Sequence, residues 1–237
     1  MVHYWTVFNL VFIILCFIMI GNNDLLKLKK QGRCPVSKIL LYEPRMLVRS
    51  LAQHLIDGRS RPLWLHQVST PYIEDIRNSV NKDMCVLVGV GGVGPNFSEV
   101  LRLFRYLKIM KINTIAWIPS GYLYLSRLLN AVGVNEILIE DDLPNALMVT
   151  LQKMTTHGDT AIKRRRVPDL SQMELDILLQ FSAGLSAKDI SIERGCCYKT
   201  VFSWKHNIYT ILEIKTPDQW LTMLAEMAQI STLYQQR

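Results

Sequence analysis

The chain has 237 residues, with 27 Lys/Arg against 20 Asp/Glu, a net charge of +7 and a pI of about 9.2. That length has room for two small domains, and the charge suits a polyanionic partner without requiring one. Five cysteines, at 16, 34, 85, 196 and 197, are scattered and odd in number, which excludes a disulfide framework or a metal-ligand spacing and leaves a reduced cytosol as the default.

Residues 4–20 are almost unbroken apolar, with Thr6 and Asn9 the exceptions. This is the lower limit of length for a bilayer span. No Lys or Arg precedes the run and no small-residue cleavage site follows it, which argues against a cleaved signal peptide. Lys27, Lys29, Lys30 and Arg33 come after it, so the positive-inside rule would put the rest of the chain in the cytoplasm. Two readings of residues 1–35 stand: an inner-membrane anchor with a basic linker, or an over-extended start. The second rests on Val36-Ser37-Lys38, which opens the first predicted strand directly.

Residues 36–154 alternate strand-like and helical patterns. Strands are predicted at 38–42, 63–68, 85–90, 113–118 and 136–140, each followed by a helical pattern, at 45–56, 72–80, 98–110, 123–132 and 143–154. Five β-α units imply a doubly wound parallel sheet. The central runs are nearly all apolar, as strands covered on both faces must be.

After the third strand, Gly89-Val90-Gly91-Gly92-Val93-Gly94 matches G-x-G-x-x-G. It makes a nucleotide-binding sensor or enzyme the rival function. Three features weaken that reading. The motif follows the third strand and not the first, Pro95 and Asn96 intervene before the helix, and the next strand ends at Ile118-Pro119 with no acid for a ribose hydroxyl. A flexible glycine loop is the simpler expectation.

Residues 155–168 form a polar linker with Gly158, Pro168 and the run Lys163-Arg164-Arg165-Arg166, a solvated tether that is also placed to touch a nucleic-acid backbone. Residues 169–237 then give short amphipathic helices. Ser171 with Glu174 is a capping box, and Leu175, Leu178, Leu179 and Phe181 make a buried stripe that ends at Gly184. Ser186 with Asp189 starts a second helix, with Ile190 and Ile192 apolar and Gly195 the stop. A third begins near Tyr198, with Val201, Ile208, Ile211 and Leu212 inward and Lys199, Phe202, Ser203, Lys205, His206 and Tyr209 largely outward. Thr216 and Pro217 open a fourth, lined by Trp220, Leu221, Leu224, Ala225 and Ala228. Such turns imply a helix-turn-helix, which sets one helix in the major groove. On that helix Lys199 and Lys205 suit phosphates, Ser203 and His206 suit base edges, and Phe202 suits a thymine methyl. Residues 151–237 carry eleven Lys/Arg against nine Asp/Glu, so DNA binding rests on where charges sit.

Leu170-Ser171-x-x-Glu174, Ala183-Gly184, Ser186-x-Lys188-Asp189-Ile190, Lys199-Thr200-Val201, Asn207-Ile208 and Thr216-Pro217 together resemble the C-terminal DNA-binding domain of the LuxR/FixJ (GerE-like) family of bacterial transcription regulators. Ala183 falls directly before Gly184, Cys197 replaces the usual capping Ser, Trp204 stands at a position commonly His, and Ile211-Leu212 replaces Lys-Leu. The preceding β-α region resembles the receiver domain that usually accompanies it. A working receiver needs an acidic pair after strand one, an Asp ending strand three, a Ser or Thr after strand four and a Lys after strand five. Here those positions hold Tyr42-Glu43, Val90 or a neighbouring Gly, Ser120 slightly late, and Glu140. The resemblance therefore implies a pseudo-receiver that keeps the fold and loses Mg²⁺ binding and phosphorylation.

The expectation is an α/β receiver-like sheet plus a C-terminal all-α helix-turn-helix domain, with no enzymatic activity, cofactor or metal. Its ligand is double-stranded DNA, with Lys199, Thr200, Phe202, Ser203, Lys205 and His206 as DNA-binding residues. By resemblance to auxiliary capsule and surface-structure regulators of enteric bacteria, it acts as a homodimer, or as a heterodimer with a receiver-containing LuxR-type regulator. A protein that only sequesters another regulator is the third reading.

Overall fold

A computed structural model describes residues 38–58, 63–81, 83–156 and 168–232, with the side chains of 154–156 left aside. The apolar run 4–20 and the basic run 163–166 lie outside the described residues. No helix among the described residues is long and apolar enough to cross a membrane.

Five strands form one parallel sheet: β1 Lys38–Tyr42, β2 Trp64–Gln67, β3 Met84–Gly89, β4 Asn113–Ile118 and β5 Glu136–Ile139, in the order β2-β1-β3-β4-β5. This is a doubly wound order, with the chain reversing direction across the sheet at β1 and β3. Every residue of β3 is buried, as its central place demands. Alternate residues divide the core into two layers. Ile39, Leu41, Cys85, Leu87, Ile115 and Trp117 pack under α1 Met46–Asp57 and α5 Leu143–Thr156 through Ala52, Ile56, Leu143, Leu147 and Leu151. Leu40, Val86, Val88, Ala116 and Ile118 face α2 Ile73–Arg77, α3 Phe97–Ile109 and α4 Leu123–Val132.

All five predicted strands and their helices are present. The main difference is α2, expected over 72–80 and ending at Arg77. Asn78, Ser79 and Asn81 follow, and such side chains compete for backbone groups and favour turns. The Asn81 Oδ1 accepts from the Asp83 amide at 3.1 Å.

The C-terminal part is helical: α6 Gln172–Ser182, α7 Ala187–Glu193, α8 Tyr198–Ile211 and α9 Pro217–Thr232. Both expected capping boxes form. The Glu174 amide donates to Ser171 Oγ at 3.2 Å and its carboxylate accepts from the Ser171 amide at 2.8 Å. Ser186 and Asp189 repeat the arrangement at 3.2 and 3.0 Å. Gly184 and Gly195 hold left-handed φ values of 90° and 60° at the two turns. Cys197 caps α8 without any side-chain hydrogen bond. Stripe assignments change on three helices: on α9 Met223, Met227 and Ile230 are buried with Trp220, while Leu221, Ala225 and Ala228 are exposed. Ile177 is buried where Leu179 is only half-buried, and Ile192 is 70% exposed, leaving Ile190 as the inward residue of α7.

Candidate nucleic-acid interface

The carboxyl end of the sheet, where an α/β domain places its ligands, is filled by the chain itself. Glu43 follows β1, and its side chain is fully buried. Its carboxylate accepts from Arg45 Nε at 3.0 Å, Arg45 Nη2 at 2.8 Å, the Arg45 amide at 2.9 Å and Trp117 Nε1 at 2.8 Å. The outer edge of the same guanidinium donates to both Glu140 oxygens, at 2.9 and 2.7 Å. Arg45 thus makes two bidentate pairs, the strongest geometry open to it. Burial works against its charge, but the two carboxylates outweigh that and hold its pKa above the ordinary arginine value.

The glycines are explained by this cluster. A Cβ on Gly89 would stand 1.8 Å from Glu43 Oε2, on Gly91 2.6 Å from Glu140 Oε1, and on Gly92 2.5 Å from Arg45 Cγ. The run is therefore no flexible loop. It is bare backbone against which Arg45 lies. Neither Glu43 nor Glu140 was expected to meet an arginine; nothing local in the sequence marks Arg45 as the partner of a residue 95 positions away.

Sequence reasoning placed the DNA contacts on α8, and the structure divides those residues. Lys199, Phe202, Ser203 and His206 are exposed along one face. Thr200 is half-buried. Lys205 turns inward: its Nζ lies 5.2 Å from the Phe181 ring centroid, 5.1 Å from Trp220 and 5.6 Å from Tyr209. The ammonium is engaged with ring faces, and burial lowers its pKa. The signal was present in the sequence, since Lys205 stands four residues after Val201 and three before Ile208, both inward. Tyr209, also expected outward, is half-buried against Trp220 at 5.0 Å between centroids. Tyr198, not singled out from sequence, joins the exposed face.

The exposed α8 face stays open although the two halves of the chain are packed together. One apolar cluster runs from the sheet through α3 and α4 into α6, α8 and α9. The first turn of α4 has no side-chain cap of its own. Instead Glu226, on α9, accepts from the Leu125 amide at 2.7 Å, and the Leu123 and Tyr124 amides also hydrogen-bond it. Burial raises the Glu226 pKa, and these three amides only partly counter it. In return Arg127 of α4 donates to the carbonyls of Leu212 and Glu213 at 3.3 and 3.0 Å, where α8 ends. Lys108 pairs with Asp169, Arg105 donates to the Leu170 carbonyl, and the Leu170 amide donates to Ala131 at 3.2 Å. Each half supplies the groups that helix ends of the other half lack.

Across known structures, the chain superposes on the two-component response regulator RcsB in an RcsB–DNA complex with a TM-score of 0.51, at 14% identity, over 79% of this chain and 98% of that one. The fold is that of a two-domain response regulator. Full-length FixJ from B. japonicum gives a TM-score of 0.43 at 17% identity over 81% and 98% of the two chains. RcsB from Salmonella enterica serovar Typhimurium bound to promoter rprA gives 0.46 at 14% over 80% and 98%. No family model matches this sequence, and no curated protein matches it. On the response-regulator fold, the ion cluster of Glu43, Arg45 and Glu140 occupies the end of the sheet, and α8 is the second helix of the helix-turn-helix.

Proposed function

We propose that the chain is a DNA-binding transcription regulator that reads duplex DNA with α8 and is not controlled by its own phosphorylation. The observation that carries the first half is the α8 face. Lys199, Phe202, Ser203 and His206 remain exposed with both halves in place, and the helix holds no carboxylate in its fourteen residues. A carboxylate-free helix with the Lys199 cation and hydrogen-bonding side chains outward suits a phosphate-lined groove. Lys199→Ala is expected to weaken binding evenly across sequences and to lower the slope of log affinity against log salt by about 0.9. Lys205→Ala is expected to leave that slope unchanged, because its ammonium faces rings. Ser203→Ala and His206→Ala are expected to change the ranking of sites. Fluorescence anisotropy over a salt series measures all four.

The filled end of the sheet supports the second half. Both carboxylates there are bound to Arg45, and no aspartate ends β3. A divalent cation would have to displace a doubly bidentate arginine to find its oxygen ligands. Mg²⁺ with acetyl phosphate is therefore expected to leave both Tm and DNA affinity where they were. A Tm shift that needs both reagents would contradict this.

Two half-sites call for two copies or a related second subunit. On α9, Trp220, Met223, Met227 and Ile230 are buried, while Leu221, at 61% exposure, shares an exposed stripe with Ala225 and Ala228. These recur at helical spacing and form a narrow apolar seam suited to a second such helix. Leu221→Asp is expected to abolish the concentration-dependent dimer in sedimentation and to weaken binding to a two-half-site duplex, while circular dichroism stays unchanged.

A further inference from the structure

The α8 face carries a feature that phosphate binding does not use. Tyr198 is the first residue of the helix and Phe202 lies one turn on. Their rings meet edge to face, with centroids 4.6 Å apart and planes at 62°. Each is still about half exposed, at 49% and 45%. The contact fixes both rings, so little further ordering is needed to present them to a partner.

The rest of the face is polar. Guanine is most often read by a bidentate Arg or Lys, and adenine by Asn or Gln. The helix has no Arg and no Gln, and its Asn207 is exposed one turn beyond Ser203. Lys199, Ser203, His206, Asn207 and Thr210 are the exposed polar groups of the helix, suited to hydrogen bonds with phosphates or base edges, and none of them offers an apolar ring. Thymine is the one standard base that offers a methyl group in the major groove. Resting on the reading of α8 as the DNA-reading helix, we propose that the Tyr198–Phe202 pair is its specificity element and that it selects half-sites by the C5-methyl groups of thymine. Removing a methyl from an apolar contact forfeits roughly one buried carbon, so each thymine read this way contributes about fourfold to affinity.

The chemistry of the contact is a pyrimidine C5-methyl, which 5-methylcytosine also carries, and the test separates the two. A site is selected from random duplexes with the full chain, then remade with uracil for thymine, which removes methyls and leaves base pairing intact. Wild-type affinity is expected to fall about fourfold per contacted methyl. The loss is expected to disappear in Phe202→Ala and to persist in Lys199→Ala. Equal affinity for thymine and uracil duplexes would overturn the proposal while leaving DNA binding intact; so would a uracil loss undiminished in both Tyr198→Ala and Phe202→Ala. The uracil duplex remade with 5-methylcytosine at its cytosines is expected to stay weak, and full recovery would overturn the assignment to thymine. Failure of the wild-type chain to select any duplex would overturn this proposal together with the reading it rests on.

Discussion

Replacing Arg45 by alanine is expected to cost the chain about 3–5 kcal/mol, because it removes one member of a buried ion cluster and strands another. Glu43 has a fully buried side chain, and its carboxylate would keep only Trp117 Nε1 and one backbone amide. Its partner Glu140 is partly exposed and would turn to water at little cost. The loss therefore follows from Glu43, and a second substitution should recover most of it. Glu43→Gln with Arg45→Met removes the stranded charge and keeps the volume, and is expected to return most of the stability. Urea unfolding of the three proteins, followed by tryptophan fluorescence, measures the difference. A single Arg45→Ala variant as stable as wild type would show that the cluster is dispensable.

Replacing Glu226 by leucine is expected to cost about 2 kcal/mol and to loosen the packing between the halves of the chain. The substitution leaves the Leu125 amide, a buried donor, without its acceptor, and buried orphan donors are expensive. Glu226→Gln separates hydrogen bonding from charge, since an amide oxygen still accepts. The pH dependence fixes the sign. The folded-state pKa of Glu226 is raised, so between its ordinary and raised values the folded chain binds a proton that the unfolded chain releases. Stability from this group is therefore fully present below the ordinary glutamate pKa and declines as pH rises through the raised one. Wild type is expected to show that decline and Glu226→Gln to lack it, in urea titrations at a series of pH values.

Much of this fold was legible because local chemistry and tertiary demand agree. The 113–118 strand and the 123–132 helix fall where the apolar pattern placed them. Both capping boxes form because Ser171 and Ser186 need only a partner three residues away. The doubly wound order followed from parallel strands joined by helices, whatever side chains fill the end of the sheet. What escaped the sequence is long-range. Glu140 meets Arg45 across 95 positions, and Glu226 meets the Leu125 amide across 101. No periodicity reports such pairings, and a degenerate acidic pocket gave no hint that an arginine had moved into it. The glycines stood out as a formal nucleotide motif, and the structure adds that Gly89, Gly91 and Gly92 lie where a side chain would meet Glu43, Arg45 or Glu140. Lys205 is an intermediate case. Its helical position beside Val201 and Ile208 already pointed inward, but a lysine on a presumed reading helix invites assignment to phosphate before geometry.

The closed packing bears on how such a protein is used. The N-terminal half grips α9 and the end of α8 through Glu226 and Arg127, and among the described residues Lys199, Phe202, Ser203 and His206 of α8 stay exposed. Under the proposed function, the N-terminal half orients α8 and leaves that face open to DNA. With Arg45 fixed at the end of the sheet, control by abundance or by a second subunit is the regulation consistent with the proposed function.

The most direct measurement is anisotropy of a labelled duplex carrying a selected site, titrated with the full chain at several salt concentrations without any phosphodonor. The expected result is saturable binding whose affinity falls linearly in log–log form with salt, and whose slope shrinks in Lys199→Ala but not in Lys205→Ala. Binding that appears only after phosphodonor treatment, or no duplex binding under any of these conditions, would contradict it.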